Sequence, residues 1–423
     1  MNVNLAYGEG WLPIEVPGER TTVIEPNHWP GLGDEQAAVR EALEHPLGCR
    51  PLREWLRPDS RVCVVFTDIT RATPNHRLIP WLLEYLKDIP REQITLLNGL
   101  GTHRPNTPAE LEKMLTPEVM RGWRVLNHEP ENPAALVNVG RTRQGTPILL
   151  NRHLVEAGVR ILTGFIEPHF FAGFSGGPKA ILPGVAGLQT VMHNHGAGPI
   201  SHPNAAFGVT EGNPLWEEMR DGALLAGESF LLNVTLNSRK EITGVFAGDL
   251  LAAHRAGTDF VRRSAMQAVP EPFDIVVTTN SGYPLDLNLY QGVKGMSAAA
   301  RVVKPGGTII LAAECREGLP AGSHYERLLR SVSSPREFLE QVQNGLRAPD
   351  LWQIQIQAQI QCQAGVLVKS SLPDSTVRAA LLEPCHDISS EISRQLDCLG
   401  PAARVAVLPQ GPLTIPYLQN GKS

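Results

Sequence analysis

The sequence predicts an α/β fold made of two α/β domains with the active site in the interdomain cleft. Three observations lead there. At 423 residues the chain exceeds what one hydrophobic core usually serves. Apolar runs of strand length alternate with helical patterns from about residue 60 onward. After Pro270-Glu271-Pro272, the run FDIVVTTN (273–280) opens a second alternation of the same kind. The expected division is residues 1–268 and 269–423, joined near 266–273.

Taken in order, the first 35 residues read as extended pieces and turns. Helical patterns follow at Glu35 to Leu43 and Pro51 to Leu56. RVCVVFTD (61–68) is an apolar run of strand length that ends on an aspartate, which suits a strand buried on both faces. In TPNHRLIPWLLEYLK, Leu78, Leu82, Leu83 and Leu86 share one helical face. ITLLNGLG (94–101) is the next strand, and TPAELEKML carries Thr107 and Glu110 at capping-box spacing with Pro108 at the first helical position. WRVLNHE, ILLNRHLV and VRILTGFI continue the alternation, and FLLNVTLN with EITGVFAGD forms a hairpin around Ser238-Arg239-Lys240. One helix is expected over Asp249 to Val269. In the second half, NLYQGVKGMSAAARVV is helical, Pro305-Gly306-Gly307 is a turn, and TIILAAE is a strand. DLWQIQIQAQIQCQ alternates like a strand, but its length and position favour a helix; VLVKSS and RVAVLP are later strands.

Composition narrows the function. A net charge of −5 offers nothing to attract nucleic acid or an anionic membrane in bulk. No apolar run approaches the ~20 residues that span a bilayer, and MNVNLAYGEGW lacks signal-peptide features. The six cysteines are dispersed without a CxxC pair, as buried thiols of a reducing compartment would be, so the cytoplasm is the expected location.

The chemistry concentrates between Gly164 and Gly196. There an apolar run leads into His169, then a loop with Gly173, Ser175, Gly176 and Gly177, then Lys179, then His193 and His195. Loop glycines allow close backbone approach to a phosphate, a lysine supplies charge or a nucleophile, and imidazoles supply acid/base or metal-binding nitrogen. AGFSGGPK lacks the GxxxxGK[ST] phosphate-loop pattern, and HxH alone specifies no metal. Asp68, Thr70 and Arg71 follow a strand, where Asp can accept ribose hydroxyls and Arg can hold a carboxylate or phosphate; a capped turn with a surface ion pair would explain them equally well. His103 in GTHRP and His169 in EPHFF each follow a strand end, where open α/β sheets place ligands. Gln291 and Lys294 in DLNLYQGVK are helical neighbours that a solvated face would also accommodate.

Taken together, DITR, GTHRP, EPHFFAGFSGGPKAILPGV, MHNHG and DLNLYQGVK, in that order over residues 68–294, resemble the lactate racemase family. Its members are racemases and epimerases of 2-hydroxy acids that use a nickel-pincer nucleotide. The resemblance implies that Lys179 carries the cofactor as a thioamide, that His195 is the imidazole ligand of Ni(II), and that His103 and His169 are the acid/base pair. It further implies that Asp68, Thr70, Arg71, Ser175, Gly176 and Gly177 hold the mononucleotide, and that Tyr290, Gln291 and Lys294 are the second domain's contribution. Arg71 and Lys294 would then lie near the substrate carboxylate. The implied reaction removes hydride from the α-carbon while a histidine takes the hydroxyl proton, which avoids a dianionic carbanion. Cofactor-building enzymes would be the maturation partners. Two rival readings remain. One is a racemase or epimerase of a larger acid (malate, an aromatic lactate, a sugar acid). The other is a nickel or nucleotide binding protein without turnover, against which His103 and His169 argue. An NAD-dependent dehydrogenase is disfavoured, since no strand leads into GxGxxG.

Overall fold

The computed structural model describes residues 1–320 and 322–419. It is a mixed α/β structure in two compact units, each built on a six-stranded sheet. One unit comprises His28–Glu167 and Phe171–Arg262; the other comprises Met1–Asn27, Pro168–Phe170 and Arg263–Ser423. The units thus depart from a single cut at 268, because the first 27 residues group with the C-terminal part. The cause is strand pairing: Thr21–Val23 lies parallel to Val405–Leu408, a partner that no local pattern announces.

In the unit containing residues 28–167, the strand Val62–Thr67 is central and buried from Val62 through Phe66. On one side the chain adds Ile94–Gly99 and then Arg124–Asn127, both parallel. It then crosses over and adds Val159–Phe165 and Phe230–Leu236, also parallel, on the other side. The antiparallel Ile242–Asp249 completes the hairpin expected around residues 238–240. The strand order therefore reverses beside Val62–Thr67, and ligands bind at the carboxyl ends of strands where such a reversal occurs. Val62, Val64 and Phe66 share a core with Leu78, Leu82, Leu111 and Leu115 from the helices Asn75–Tyr85 and Pro108–Leu115. The latter helix has the full capping box at Thr107 and Glu110. Residues 147–151 leave the alternation: Pro147–Asn151 pairs with Leu136–Arg141 in a separate hairpin.

The other unit repeats the plan. Phe273–Thr279 is central, with Val303–Ala312, Gly365–Lys369 and Glu383–Pro384 on one side and Val405–Leu408 and Thr21–Val23 on the other, all parallel. Its core joins Ile275, Val277 and Ile310 to Val3, Leu5 and Ile14 of the N-terminal hairpin Asn2–Tyr7 and Gly10–Glu15. The Gln-rich segment is the helix Leu351–Gln363, as its length suggested. Two local expectations need correction. The helix from 250 stops at Ala265, because Met266–Val269 pairs with the distant strand Ile415–Leu418. Pro305-Gly306-Gly307 does not precede a strand but interrupts the register inside one, between the pairs Phe273↔Val303 and Ile275↔Thr308. Among the described residues no helix is long and apolar enough to cross a membrane.

Candidate active site

Where Val62–Thr67 ends, the side chains of the DITR segment turn toward the loop after the neighbouring strand. The Asp68 carboxylate is buried, and His103 Nδ1 lies 2.8 Å from its Oδ2. Thr70 Oγ1 donates to Asp68 Oδ1 at 2.9 Å. Burial alone would raise the Asp68 pKa, but the charge and hydrogen bond of His103, the Arg71 guanidinium and Thr70 together hold it below the usual carboxylate value. An ionised carboxylate is an acceptor only, so the neutral imidazole carries its proton on Nδ1 and presents a lone pair at Nε2. Thus Asp68 and Thr70, expected among the nucleotide contacts, orient a histidine here. Arg71 continues the loop, and its buried Nη1 has no hydrogen-bond partner among the described residues.

Sequence reasoning missed the clamp that fixes these loops. Asn98 Nδ2 donates to both Asn106 Oδ1 and Asn127 Oδ1 at 2.9 Å, and Asn127 Nδ2 donates to the Asn106 carbonyl at 2.9 Å. The Ile69 amide donates to Asn106 Oδ1 at 3.3 Å, which ties the Asp68 loop to the His103 loop. Asn106 directly follows GTHRP, but nothing in its spacing reveals a partner on another strand.

The glycine loop is used differently from the expectation that Ser175, Gly176 and Gly177 cradle a phosphate. The Ser175 hydroxyl donates to the Phe165 carbonyl at 2.9 Å, and the Ser175 amide donates to the Glu167 carbonyl at 2.9 Å. The Gly177 amide donates to Asn233 Oδ1 at 2.9 Å. These groups are spent on the protein itself. The glycines are required for a steric reason: a Cβ on Gly176 would stand 2.3 Å from Asn233 Oδ1, and one on Gly177 would stand 2.4 Å from His254 Cγ. His254 is buried and bonds through Nε2 to the Ser175 carbonyl at 2.9 Å; burial pushes its pKa down to about 4.

This stitched loop delivers Lys179 on the short 3-10 turn Gly177–Ala180. The Lys179 ammonium sits 5.5 Å from the Phe171 ring centroid, and the His195 ring meets Phe171 edge-on at 5.2 Å. Burial first, and then the Lys179 charge, push the His195 pKa down to about 3. The imidazole is therefore neutral across the ordinary pH range, the form that ligates a metal. His195 caps the helix Leu188–Asn194, while His193 is exposed and bonds through Nδ1 to the Gln189 carbonyl at 2.8 Å, a structural role. The structure thus groups Asp68, Thr70 and His103 as one set, and Lys179 and His195 as another, both in the same unit.

The remaining predicted residues belong to the other unit. Tyr290, Gln291 and Lys294 lie on the helix Leu289–Ala300, which Asn288 caps by accepting from the Gln291 amide at 3.2 Å. Lys294 is buried, and Gln291 Oε1 is buried with no partner among the described residues. Residues Pro168–Phe170 are counted with this unit, so His169 falls in it and not, as expected, in the N-terminal domain. The segment Pro168–His169 packs on the turn Gly411–Leu413, which also packs on the Leu289–Ala300 helix. His169 is buried, with its ring 5.0 Å from that of Phe170. Two contributors escaped the sequence reading. Trp352 Nε1 donates to the Tyr290 hydroxyl at 3.0 Å, and Gln353 donates to the Tyr290 carbonyl. Among the described residues, no group of three or more His, Cys, Asp or Glu side chains is arranged to hold a metal.

Comparison with known proteins bears on the family and the fold. The family model described as the lactate racemase N-terminal domain matches residues 7–208, and that of the lactate racemase C-terminal domain matches residues 268–415. The lactate racemase of Lactiplantibacillus plantarum is 37% identical over 383 residues, covering 89% of this chain and 90% of that protein. That of Thermoanaerobacterium thermosaccharolyticum is 32% identical over 418 residues, covering 97% and 98%. The solved lactate racemase apoprotein from the latter organism superposes with a TM-score of 0.91 at 31% identity, over 99% of this chain and 100% of that one. A Thermotoga maritima protein shares the fold with a TM-score of 0.73 at 22% identity, over 91% of this chain and 98% of that one.

Proposed function

The chain belongs to the lactate racemase family, and from that premise we propose that it interconverts D- and L-2-hydroxy acids, lactate first among them, using a nickel-pincer nucleotide attached to Lys179. The observation that carries the reading is the pairing of His103 Nδ1 with the ionised Asp68 carboxylate at 2.8 Å. Neither a storage protein nor a scaffold needs an imidazole held in one tautomer; a general base does.

The residues present fit the cofactor. Lys179 is the amine for attachment, and His195 is buried and neutral, so it can supply one nitrogen to Ni(II). A single protein ligand is consistent with the lack of a multi-residue metal cluster among the described residues, since the organic part of the cofactor supplies the other donors. The orphaned Nη1 of Arg71 suits an anionic oxygen of nucleotide or substrate. When bound, the cofactor supplies the hydride acceptor.

The protein's own work is then to hold the acid and move its hydroxyl proton. His103 Nε2 takes that proton from one enantiomer while Asp68 and Thr70 steady the imidazolium. His169 serves the other enantiomer, and each histidine returns the proton as an acid in the reverse sense. Gln291 can donate a side-chain N–H to the substrate's hydroxyl oxygen, and Arg71 with Lys294 can hold the carboxylate. Maturation requires enzymes that build the cofactor, because a free lysine cannot assemble it.

Two measurements test the reading. Intact mass of protein matured with cofactor-building enzymes should show an adduct that Lys179→Ala lacks; an equal adduct on both would move the attachment elsewhere. A panel of enantiopure lactate, malate, aromatic lactates and sugar acids should give fastest racemisation with lactate, and a larger acid leading by tenfold would replace lactate as the substrate.

A further inference from the structure

The described residues include four buried carboxylate side chains: Asp68, Glu167, Glu218 and Asp286. Three have partners. Asp68 has Thr70 and His103, Glu218 accepts from Thr142 Oγ1 at 2.5 Å, and Asp286 accepts from the amides of Gly8 and Glu314 at 2.7 and 3.0 Å. Glu167 keeps 6% of its surface, and its carboxylate makes no hydrogen bond or ion pair with any described residue. Its backbone, by contrast, is pinned at both ends: its amide donates to Ser175 Oγ at 3.0 Å and its carbonyl accepts from the Ser175 amide at 2.9 Å. A carboxylate at this place with no protein donor is open to donors from a ligand.

Its place in the fold narrows the ligand. Val159–Phe165 pairs in parallel with Val62–Thr67, with Leu162 opposite Val65, so Asp68 and Glu167 extend from the carboxyl ends of neighbouring strands. This is the reversal in strand order, and the turn carrying Lys179 packs on both strands. A carboxylate at such a strand end is the usual acceptor for ribose hydroxyls in α/β nucleotide sites. Asp68 was the expected acceptor, but its oxygens are taken by Thr70 and His103.

We infer that Glu167 is a nucleotide-binding residue whose carboxylate accepts the vicinal hydroxyls of the cofactor's ribose. The inference rests on the nucleotide reading given above. Because the group is acceptor-only when ionised, it selects a diol over a sugar lacking donors. A charge-assisted hydrogen bond lost from such a site costs about ten- to a hundredfold in affinity.

The test uses full-length, cofactor-free protein and isothermal titration calorimetry with two probes: nicotinic acid mononucleotide and its 2′,3′-dideoxy analogue. The wild type should bind the ribose form at least about tenfold more tightly. Glu167→Gln, a near-isosteric neutral variant, should lose most of that preference while binding the dideoxy form as the wild type does; an unchanged melting temperature certifies its fold. Equal weakening toward both sugars, or a preference that survives in Glu167→Gln and Glu167→Ala alike, would overturn the assignment while leaving the nucleotide reading intact. Failure of the wild type to bind either probe would overturn both.

Discussion

Asp68→Asn is the substitution that most directly probes how the site works. It keeps the shape of the side chain and removes its charge. Thr70 Oγ1 donates to Oδ1 at 2.9 Å, so the carbonyl of the new amide stays on that side and its NH2 faces His103 Nδ1. Two N–H groups cannot face each other. The ring therefore moves its proton from Nδ1 to Nε2, and the base at Nε2 disappears. Restoring the working tautomer forfeits a hydrogen bond to a charged group and leaves donors opposed, together about 3–5 kcal/mol. At ~1.4 kcal/mol per decade, kcat/KM should fall ~10²–10⁴-fold, the range of a lost general base. The assay is chiral chromatography of racemisation from each pure enantiomer, with cofactor content normalised by intact mass. Both directions should fall together, because one histidine acts as base one way and acid the other. Thr70→Val removes a single neutral donor and should cost no more than about tenfold. A fully loaded Asp68→Asn enzyme within threefold of wild type would refute the tautomer argument.

Other expectations follow from the same geometry. Burial holds His128, His195 and His254 down to about 4, 3 and 4, so the folded protein refuses protons that the unfolded chain takes near pH 6.5. Their contribution is complete above about pH 6.5 and is lost as the pH falls toward 4, at up to ~1.4 kcal/mol per pH unit for each ring. Urea melts of the apoprotein between pH 7.5 and 4.5 check this, and a midpoint that does not move would contradict it. Gly177→Ala places a Cβ 2.4 Å from His254 at φ +54 and should cost ~1–3 kcal/mol, whereas Gly145→Ala, with open space around it, should cost only the backbone term of about 1 kcal/mol. Paired thermal melts would show equal losses if contact with His254 were irrelevant. Arg71→Gln should raise KM at least about tenfold if Nη1 meets the substrate carboxylate, or lower cofactor retention by mass if it meets the nucleotide. An enzyme normal in both respects would remove Arg71 from the site.

Much of the architecture was legible because the strands are buried on both faces and read as continuous apolar runs, as VCVVFT and FDIVVTT do. The helices announced themselves by caps and periodicity, as at Thr107 and along Leu78, Leu82 and Leu83. What stayed hidden was pairing across long separations: Thr21–Val23 with Val405–Leu408, and Met266–Val269 with Ile415–Leu418. The motif residues of the site could be found, but their division of labour could not. Loop glycines read as a ligand cradle, yet Asn233 and His254 are what press on Gly176 and Gly177, and both lie on elements far along the chain. Asp68 read as a sugar contact because the sequence gives no distance to His103. Trp352 and Gln353 sit in a repetitive helix whose composition hides that two of its side chains hold Tyr290.

The edge strand Thr21–Val23 also imposes an order on biosynthesis. Its partner Val405–Leu408 leaves the ribosome roughly 380 residues later, which at ~5–20 residues per second is about 20–80 s. Well before that interval ends, residues 28–262 are made and can fold on their own sheet, while the hairpin Asn2–Glu15 carries Val3, Leu5 and Ile14 with no core to enter. The hairpin is thus made long before it is housed, and in the meantime it is a natural client for a chaperone that binds short apolar stretches.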